Sequence, residues 1–499
     1  MKKTYIALYA VLLISVSCEM KPADGFESRG IIQIGMGGRY AVDITEALAR
    51  LRYEITLSGP GGVQTVNLPA GSSLRCAVEV VPGSWTVSIK ARGPRPAAYN
   101  GAYFPADMLR AYGTAGVQVP AGQTAKAEVL LYTATEVSTA GQLAGALANA
   151  GAAEELIFVT GNISSPAIAV TNPALSGKHI RIRGQGTPAP EIRLSGTGSL
   201  FTVGNSSAPN ITVSLENITL RGAAGNDSAL VYVDGSHLVM NRGAAVTGND
   251  VITSGARVDV AGGVLIDNAG TFIMNAGEIS YNTVTTHNIH DNNGVGGVCG
   301  MNGSSITLNG GEIRDNRVTG APGYNIGATG GVASEFFIMN NGKIINNTAT
   351  ASGPQCHVAG GLNMGMGSEM HGGLIGGNSA TNTGSLGGTG GGVLVAGGNF
   401  LMDGGEISAN TATHARAGGG IRIINGVYLG VTWTGILQKH AGGTIYGADA
   451  PAALRNTANG SGNAVTLGDW TSVAATRTNT AGPADAMDST VGGPPGGWD

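Results

Sequence analysis

Between about Val246 and Ile445, apolar residues recur in short alternating runs, each closed by glycine or asparagine. The cleanest unit reads Gly392-Val393-Leu394-Val395, then Phe400-Leu401-Met402-Asp403-Gly404-Gly405-Glu406-Ile407-Ser408-Ala409-Asn410. Its central apolar position is occupied by Val246, Ile279, Ile313, Ile344, Ile375, Ile407 and Ile445, in steps of 33, 34, 31, 31, 32 and 38 residues. An asparagine follows three places later in six of these seven units, at Asn249, Asn282, Asn316, Asn347, Asn378 and Asn410. A fixed period of this size marks a solenoid, because one unit cannot bury its own apolar face and must stack on the next.

The register inside the unit distinguishes strands from helices. Val264/Ile266, Leu362/Met364, Val393/Val395 and Ile421/Ile423 alternate with residues of varied character, namely Leu265, Asn363, Leu394 and Arg422, which is the two-residue period of a strand. Two further columns, Met274-Leu308-Met339-Met370-Met402 and Phe272-Ile306-Phe337-Ser368-Phe400, place like residues at like positions and are expected to stack inside. No unit holds the 3.6-residue pattern of a helical repeat. The prediction is a right-handed parallel β-helix with three short strands per coil, each coil rising about 4.8 Å. The repeated asparagine is expected at a coil corner, where it tolerates left-handed backbone and bonds the same amide in the coils above and below.

The Gly-Gly-[Val/Leu/Ile] openings (Gly263-Val264, Gly297-Val298, Gly331-Val332, Gly361-Leu362, Gly392-Val393, Gly420-Ile421) and the Ile-x-x-Asn closings resemble right-handed parallel β-helix repeat proteins of bacterial surfaces. They are also similar to the GGAI and FxxN repeats of polymorphic outer-membrane adhesins, with Ile in place of Phe. The resemblance covers roughly residues 140–450. It implies the fold; the same coil carries adhesins, polysaccharide lyases and proteins of other roles.

The chain starts with Lys2-Lys3 and an apolar run from Ile6 to Val16, ending in Ser15-Val16-Ser17-Cys18. A charged start, a short apolar stretch and small boundary residues predict a secretory signal peptide over residues 1–17, too short to cross a bilayer as a mature span. Cys18 is the expected lipid attachment site, although Ser15 stands where that signal usually has Leu. Ordinary cleavage after Ser17 would also satisfy the boundary. Gly accounts for 84 of 499 residues and charged residues for 12%, and a net charge of −4 gives no basic patch for nucleic acid. Three further cysteines remain, Cys76, Cys299 and Cys356; Cys299 is expected to point outward and thiols are expected rather than a bridge.

After a tether over residues 18–29, residues 30–132 read as a β-sandwich, with strands such as Tyr53–Leu57, Leu74–Val80, Trp85–Lys90 and Ala125–Leu131. The Pro82-Gly83-Ser84-Trp85-Thr86-Val87 stretch resembles prealbumin-like or PEGA-like modules, which implies a spacer. Residues 138–151 predict a helix, opened by the capping box Thr139-x-x-Gln142 and stopped by Gly151, that covers the first coil of a β-helix over residues 152–465. Tyr428–His440 reads as an insertion and Gly442–Gly447 as a last motif lacking its asparagine. Residues 466–499 form a Gly/Pro-rich tail without the ten-residue amphipathic strands of a membrane barrel. The fold class is therefore all-β, an N-terminal β-sandwich followed by a parallel β-helix with a short capping helix.

Candidate chemistry is sparse. Glu278 and Glu312 stand one coil apart, as a retaining glycosidase pair would, but Arg314 and Lys343 beside them favour solvated charges on a strand face. His287, His290 and Asp291, in the Thr283–Gly294 loop, are candidate binding residues, set against the ordinary case of solvated loop histidines. The column Asn275-Asn309-Asn340-His371-Asp403 reads as a corner ladder rather than a ligand-reading surface. No spacing suggests a metal site or a cofactor. The expectation is a non-enzymatic lipoprotein, anchored in the membrane through its lipid at the bacterial cell surface or outer membrane. It would present the loops Thr283–Gly294, Thr319–Gly330 and Thr381–Gly390 to a host protein, matrix or glycan partner. A carbohydrate-binding or carbohydrate-active protein is the alternative; it would need sugar platforms, and beyond scattered tyrosines only Trp433 and Trp470 are available.

Overall fold

A computed structural model describes residues 29–35, 50–72, 76–97, 99–253, 259–286, 293–320, 327–353, 356–385, 387–428, 431–440, 442–447, 450–462, 465–467 and 474–477. The expected signal peptide, Cys18 and almost all of the tether lie outside them. The described residues are all-β but for one short α-helix and a single 3-10 turn. It divides into two compact units, Met1–Glu136 with Ala152–Phe158, and Val137–Gly151 with Val159–Asp499.

The first unit is a sandwich. Its strands are β1 (Gly30–Gly35), β2 (Arg52–Gly59), β3 (Gly62–Leu68), β4 (Cys76–Val80), β5 (Gly83–Pro94), β6 (Asp107–Val119), β7 (Thr124–Glu128) and β8 (Tyr132–Val137). β1 pairs antiparallel with β4 and parallel with β7, while β3, β2, β5, β6 and β8 make an antiparallel second sheet. Alternate residues point inward, so Ile32 and Ile34, Val78 and Val80, Tyr53, Ile55 and Leu57, and Trp85, Val87 and Ile89 share one core. The Trp85 indole N–H, buried with its ring, donates to the Val81 carbonyl at 2.8 Å. A smaller cluster joins Leu109 and Ala134 to Leu156 and Phe158, placing this stretch beyond the helix in the first unit. There the Tyr99 hydroxyl donates to Glu155 at 3.1 Å, and burial pushes Tyr99 well above the ordinary tyrosine range.

The helix, α1, spans Ala140–Ala148 and packs against the strands Ile163–Ser165 and Ile168–Val170 at the start of the solenoid, burying Leu143, Ala146 and Leu147. Thr139 Oγ1 accepts the Gln142 N–H at 3.3 Å as the capping box requires, but Gln142 reaches back to the N–H of Ser138 rather than Thr139. Gly151 is not the stop: the cap is Asn149, whose side chain donates to the Gly145 carbonyl.

The second unit is a parallel β-helix. Its early coils carry three strands, for example Phe201–Val203, Thr212–Glu216 and Thr219–Arg221. From about Asp250 two further ladders are added, a correction to the three strands expected. One five-stranded coil runs Val264–Asp267 (ladder I), Thr271–Met274 (ladder II), Glu278–Ser280 (ladder III), Thr283–Thr286 (ladder IV) and Asn293–Val295 (ladder V). The coils carry four strands where ladders I and II run on as one strand, in Val298–Leu308, Val332–Met339 and Leu362–Met370. Ladder III holds ten strands and reaches back to Ile163–Ser165, well before the legible repeat. The expected inward columns pair in register, Phe272 on Ile306, Phe337, Ser368, Phe400 and Leu437, and all are buried. Each large apolar side chain so removed from water contributes about 1.5–3 kcal/mol, which only stacked neighbours can supply.

Ladders IV and V lie where the sequence predicts loops, because their apolar residues are small. Val251, Val284, Val318, Ala349 and Ala380 of ladder IV face Val260, Ala328 and Val358 of ladder V in a narrow core of their own. Ladder V also covers the outer side of ladder I. Cys299 therefore does not point outward: it is fully buried with Ala261, Val295 and Ala333. Leu394 and Arg422, in the same column, are buried too. Cys356 lies in the core between ladders IV and V and Cys76 in the sandwich core, so the three buried thiols occupy separate places.

Two further readings at the C-terminal end need revision. Only Gly426–Tyr428 and Val431–Trp433 form an inserted hairpin, since Gly435–Lys439 pairs in regular register with Gly398–Met402. The last unit does keep its asparagine, displaced to Asn456. Beyond the expected end of the solenoid, Ala474–Arg477 still pairs with Ile436–Lys439.

The expected amide ladder exists and is fully buried. Asn282, Asn316, Asn347, Asn378 and Asn410 each donate through Nδ2 to the Oδ1 of the next asparagine at 2.8–3.0 Å, ending on Asn456. The other Nδ2 proton goes to a ladder III carbonyl of the preceding coil, and Oδ1 also accepts the preceding asparagine's backbone N–H; Asn347 thus bonds Ile313 and Asn316 in these two ways. All four bonding positions of the amide are used. The left-handed residue is the one before the asparagine, not the asparagine itself: Gly248, Tyr281, Asp315, Asn346, Gly377 and Ala409 all have positive φ. The glycine openings answer to the same ladder. A Cβ on Gly361 would lie 2.5 Å from the Gly392 carbonyl oxygen, 2.9 Å from Ile375 Cγ2 and 3.0 Å from Asn378 Nδ2.

Replacing Asn347 by Ala strips partners from two donors on Asn316 and from the Ile313 carbonyl, and is expected to lower unfolding free energy by about 3 kcal/mol or more. Asn340→Ala, in the exposed corner column, is expected to cost less than about 1 kcal/mol. Urea melts of the two variants compare these directly; equal losses would remove the special role of the buried ladder. Ile344→Asp puts a charge among stacked apolar side chains and is expected to cost several kcal/mol in the same measurement.

Candidate functional site

His287, His290 and Asp291 lie outside the described residues. The segments that hold the three expected loops are partly strand: Thr283–Thr286, Arg317–Gly320 and Ser379–Asn382 belong to ladder IV, and Asn293–Val295, Gly327–Thr329 and Thr389–Gly390 to ladder V. Val284, Val318 and Ala380 in them are buried, so these stretches are framework as much as display.

The outer face of ladder III carries the charges. Arg314 donates to Glu278 at 2.7 Å, to Tyr281 Oη at 2.8 Å and to Asp315 at 2.7 Å, lies 3.5 Å from Glu312, and covers the Tyr281 ring at 5.0 Å. These bonds, the one to Tyr281 foremost, hold the guanidinium proton more tightly than usual. Lys343 takes the second oxygen of Glu312 at 2.8 Å. Glu278 and Glu312 do stand in register on adjacent coils, and both are held by cations, Glu278 by Arg314 and Glu312 by Arg314 and Lys343. Two other histidines are structural. His357 accepts the Gly388 N–H and His414 the Arg416 N–H, and burial lowers the proton affinity of both rings. Among the described residues no three His, Cys, Asp or Glu side chains converge as metal ligands.

The outer face of ladder IV differs from every other. Five successive strands of it follow a ladder asparagine with the same pattern, giving Asn282-Thr283-Val284-Thr285, Asn316-Arg317-Val318-Thr319, Asn347-Thr348-Ala349-Thr350, Asn378-Ser379-Ala380-Thr381 and Asn410-Thr411-Ala412-Thr413. The middle residue is buried, which turns its two neighbours outward. Pairing in register then aligns two ranks: Thr283, Arg317, Thr348, Ser379 and Thr411, and, unbroken, Thr285, Thr319, Thr350, Thr381 and Thr413. All ten are half-buried or exposed, and no described residue engages a hydroxyl of the second rank. The signal was legible as Asn-[Thr/Ser]-x-Thr at the repeat period, but small Val and Ala at x disguised it as loop.

The corner column between ladders II and III is a second, exposed ladder. Asn275, Asn309 and Asn340 are linked amide to amide at 2.8–3.1 Å from Asn241 onward. His371 then bridges two carboxylates, Asp403 through Nδ1 at 2.8 Å and Glu369 through Nε2 at 3.0 Å. The bond to Asp403, with Glu369 adding to it, raises the proton affinity of His371. Its stabilisation is therefore complete below the ordinary histidine pKa of about 6.5, and is lost as pH rises through the higher folded value. His371→Asn is expected to lower the urea midpoint at pH 5.5 and to leave it nearly unchanged at pH 9; a deficit of the same size at both would remove the bridging charge from the account. No protein-family model, curated protein or solved structure matches this chain.

Proposed function

We propose that this protein is a non-enzymatic, lipid-anchored surface protein whose β-helix is a scaffold for adhesion, with the sandwich as a spacer after the lipidated Cys18. The observation that carries the reading is the outer face of ladder IV. It is regular over five coils, rich in hydroxyls and methyls, and its second rank has no partner within the described chain. Elsewhere the noted outward polar groups are spent on one another, as in the Glu278-Arg314-Glu312-Lys343 network and the Asn275-Asn309-Asn340 column. A pocketed enzyme site concentrates unspent acids and bases; here an ordered face is offered instead. The partner surface lies outside the cell, which accords with the export signal read at Lys2–Cys18.

Labelling with a palmitate analogue is expected to tag the wild-type protein and not Cys18→Ala, and protease added to intact cells to cleave it. An untagged wild-type protein would mean simple secretion, and a tagged but protease-inaccessible one would put the anchor on an inner face. Attachment to an array of glycans and matrix proteins is expected to drop on Thr350→Tyr/Thr381→Tyr and to persist on Glu278→Gln; the opposite pattern would move the function to the strand face of ladder III.

A further inference from the structure

The ladder IV face has a geometry that selects one kind of partner. Threonines in the second rank repeat once per coil, about 4.8 Å apart, and the two ranks are separated by two residues along the strand, about 6.7 Å. The result is a two-dimensional lattice of hydroxyl groups, each paired with a methyl except at Ser379. It is complete over three successive coils, Thr348/Thr350, Ser379/Thr381 and Thr411/Thr413, and its second rank extends to Thr319 and Thr285.

The lattice is held from beneath. Residues 283, 317, 348, 379 and 411 each follow a buried ladder asparagine directly, so the amide chain that fixes coil spacing also fixes the spacing of the ranks. Behind it, Val284, Val318, Ala349 and Ala380 pack on Val260, Ala328 and Val358. β-Branched threonine has few rotamers, which keeps its methyl and hydroxyl in place.

A protein ligand would bring irregular side chains that gain nothing from a strict repeat, and a sugar platform would call for aromatic rings, which the ranks lack. Repetition rewards a partner that is itself periodic. Methyl groups restrict the orientation of first-shell water, and hydroxyls between them fix its position by donating and accepting. Water held on such an array approaches the oxygen rows on the prism faces of hexagonal ice, whose two repeats lie close to the coil spacing and the two-residue spacing. We propose that the ladder IV face binds ice. This rests on the reading of that face as the adhesive one, and names its partner as crystalline water. The first rank begins at Asp250, which accepts from the Thr283 hydroxyl, and Arg317 stands exposed in it between Thr283 and Thr348, so the two-rank lattice runs uninterrupted only over the coils after Arg317.

The test uses the full chain and polycrystalline ice grown slowly from its solution. The wild-type protein is expected to be enriched severalfold in the ice fraction over an inert marker protein, and Thr350→Tyr/Thr381→Tyr to fall to the marker's level with unchanged circular dichroism. Thr307→Tyr, on the outer side of ladder II, is expected to partition as wild type, and Arg317→Thr to partition more strongly because it extends the lattice. Wild-type exclusion from ice overturns the proposal, as does equal loss in Thr307→Tyr. Exclusion from ice combined with loss of attachment to a glycan or matrix surface in Thr350→Tyr/Thr381→Tyr overturns only the choice of ice. Attachment and ice partition that both survive that double variant overturn the adhesive reading of the face as well.

Discussion

A β-helix has to bury the turn after each ladder III strand, and a buried turn has backbone polar groups to satisfy. The asparagine ladder is this chain's solution. Each amide gives one proton up the column and one to the coil behind, and takes two, so that every bonding position of the amide is filled by the chain itself. Such a network stabilises only when complete, because an amide left half-bonded in low dielectric costs more than an apolar residue in its place. That accounts for the persistence of asparagine while its neighbours vary, and for the return of Asn456 where the sequence spacing of the repeat is lost.

Other features follow from that corner. The amides lie so close to the next turn that the openings have no room for a side chain, hence Gly361 and its equivalents. The chain must reverse just before the asparagine, hence left-handed backbone at Tyr281, Asp315, Asn346 and Ala409, at a cost that the ladder over-determines. Just after it, the strand leaves in a direction set by the ladder and starts ladder IV. The second small core, between ladders IV and V, is thereby built on the first, and its outer face inherits the ladder's spacing.

The candidate site reflects the same economy. Charges on ladder III are paired across coils, and the exposed column from Asn275 through Asp403 runs as its own chain of bonds until His371 replaces an amide by an ion-paired ring. The first rank of ladder IV follows this rule at its ends, where Thr283 donates to Asp250 and Thr457 to Thr411, whereas the hydroxyls of the second rank engage no described residue.

Periodicity and composition alone determined the parallel β-helix, the inward columns of Phe272 and Met274, the amide ladder and the sandwich before it. Each is a local pattern repeated, and a repeat of alternating apolar residues admits one way of stacking. The sequence did not disclose ladders IV and V, the burial of Cys299 and Arg422, or the place of the left-handed residue. Valine and alanine in Asn-[Thr/Ser]-x-Thr are too small to mark an inward position, and only the tertiary structure shows that ladder V comes back to cover them. An outward position on an isolated strand becomes an inward one when a second layer is laid over it. That layer is decided by long-range packing between ladders IV, V and I, which no window of residues contains.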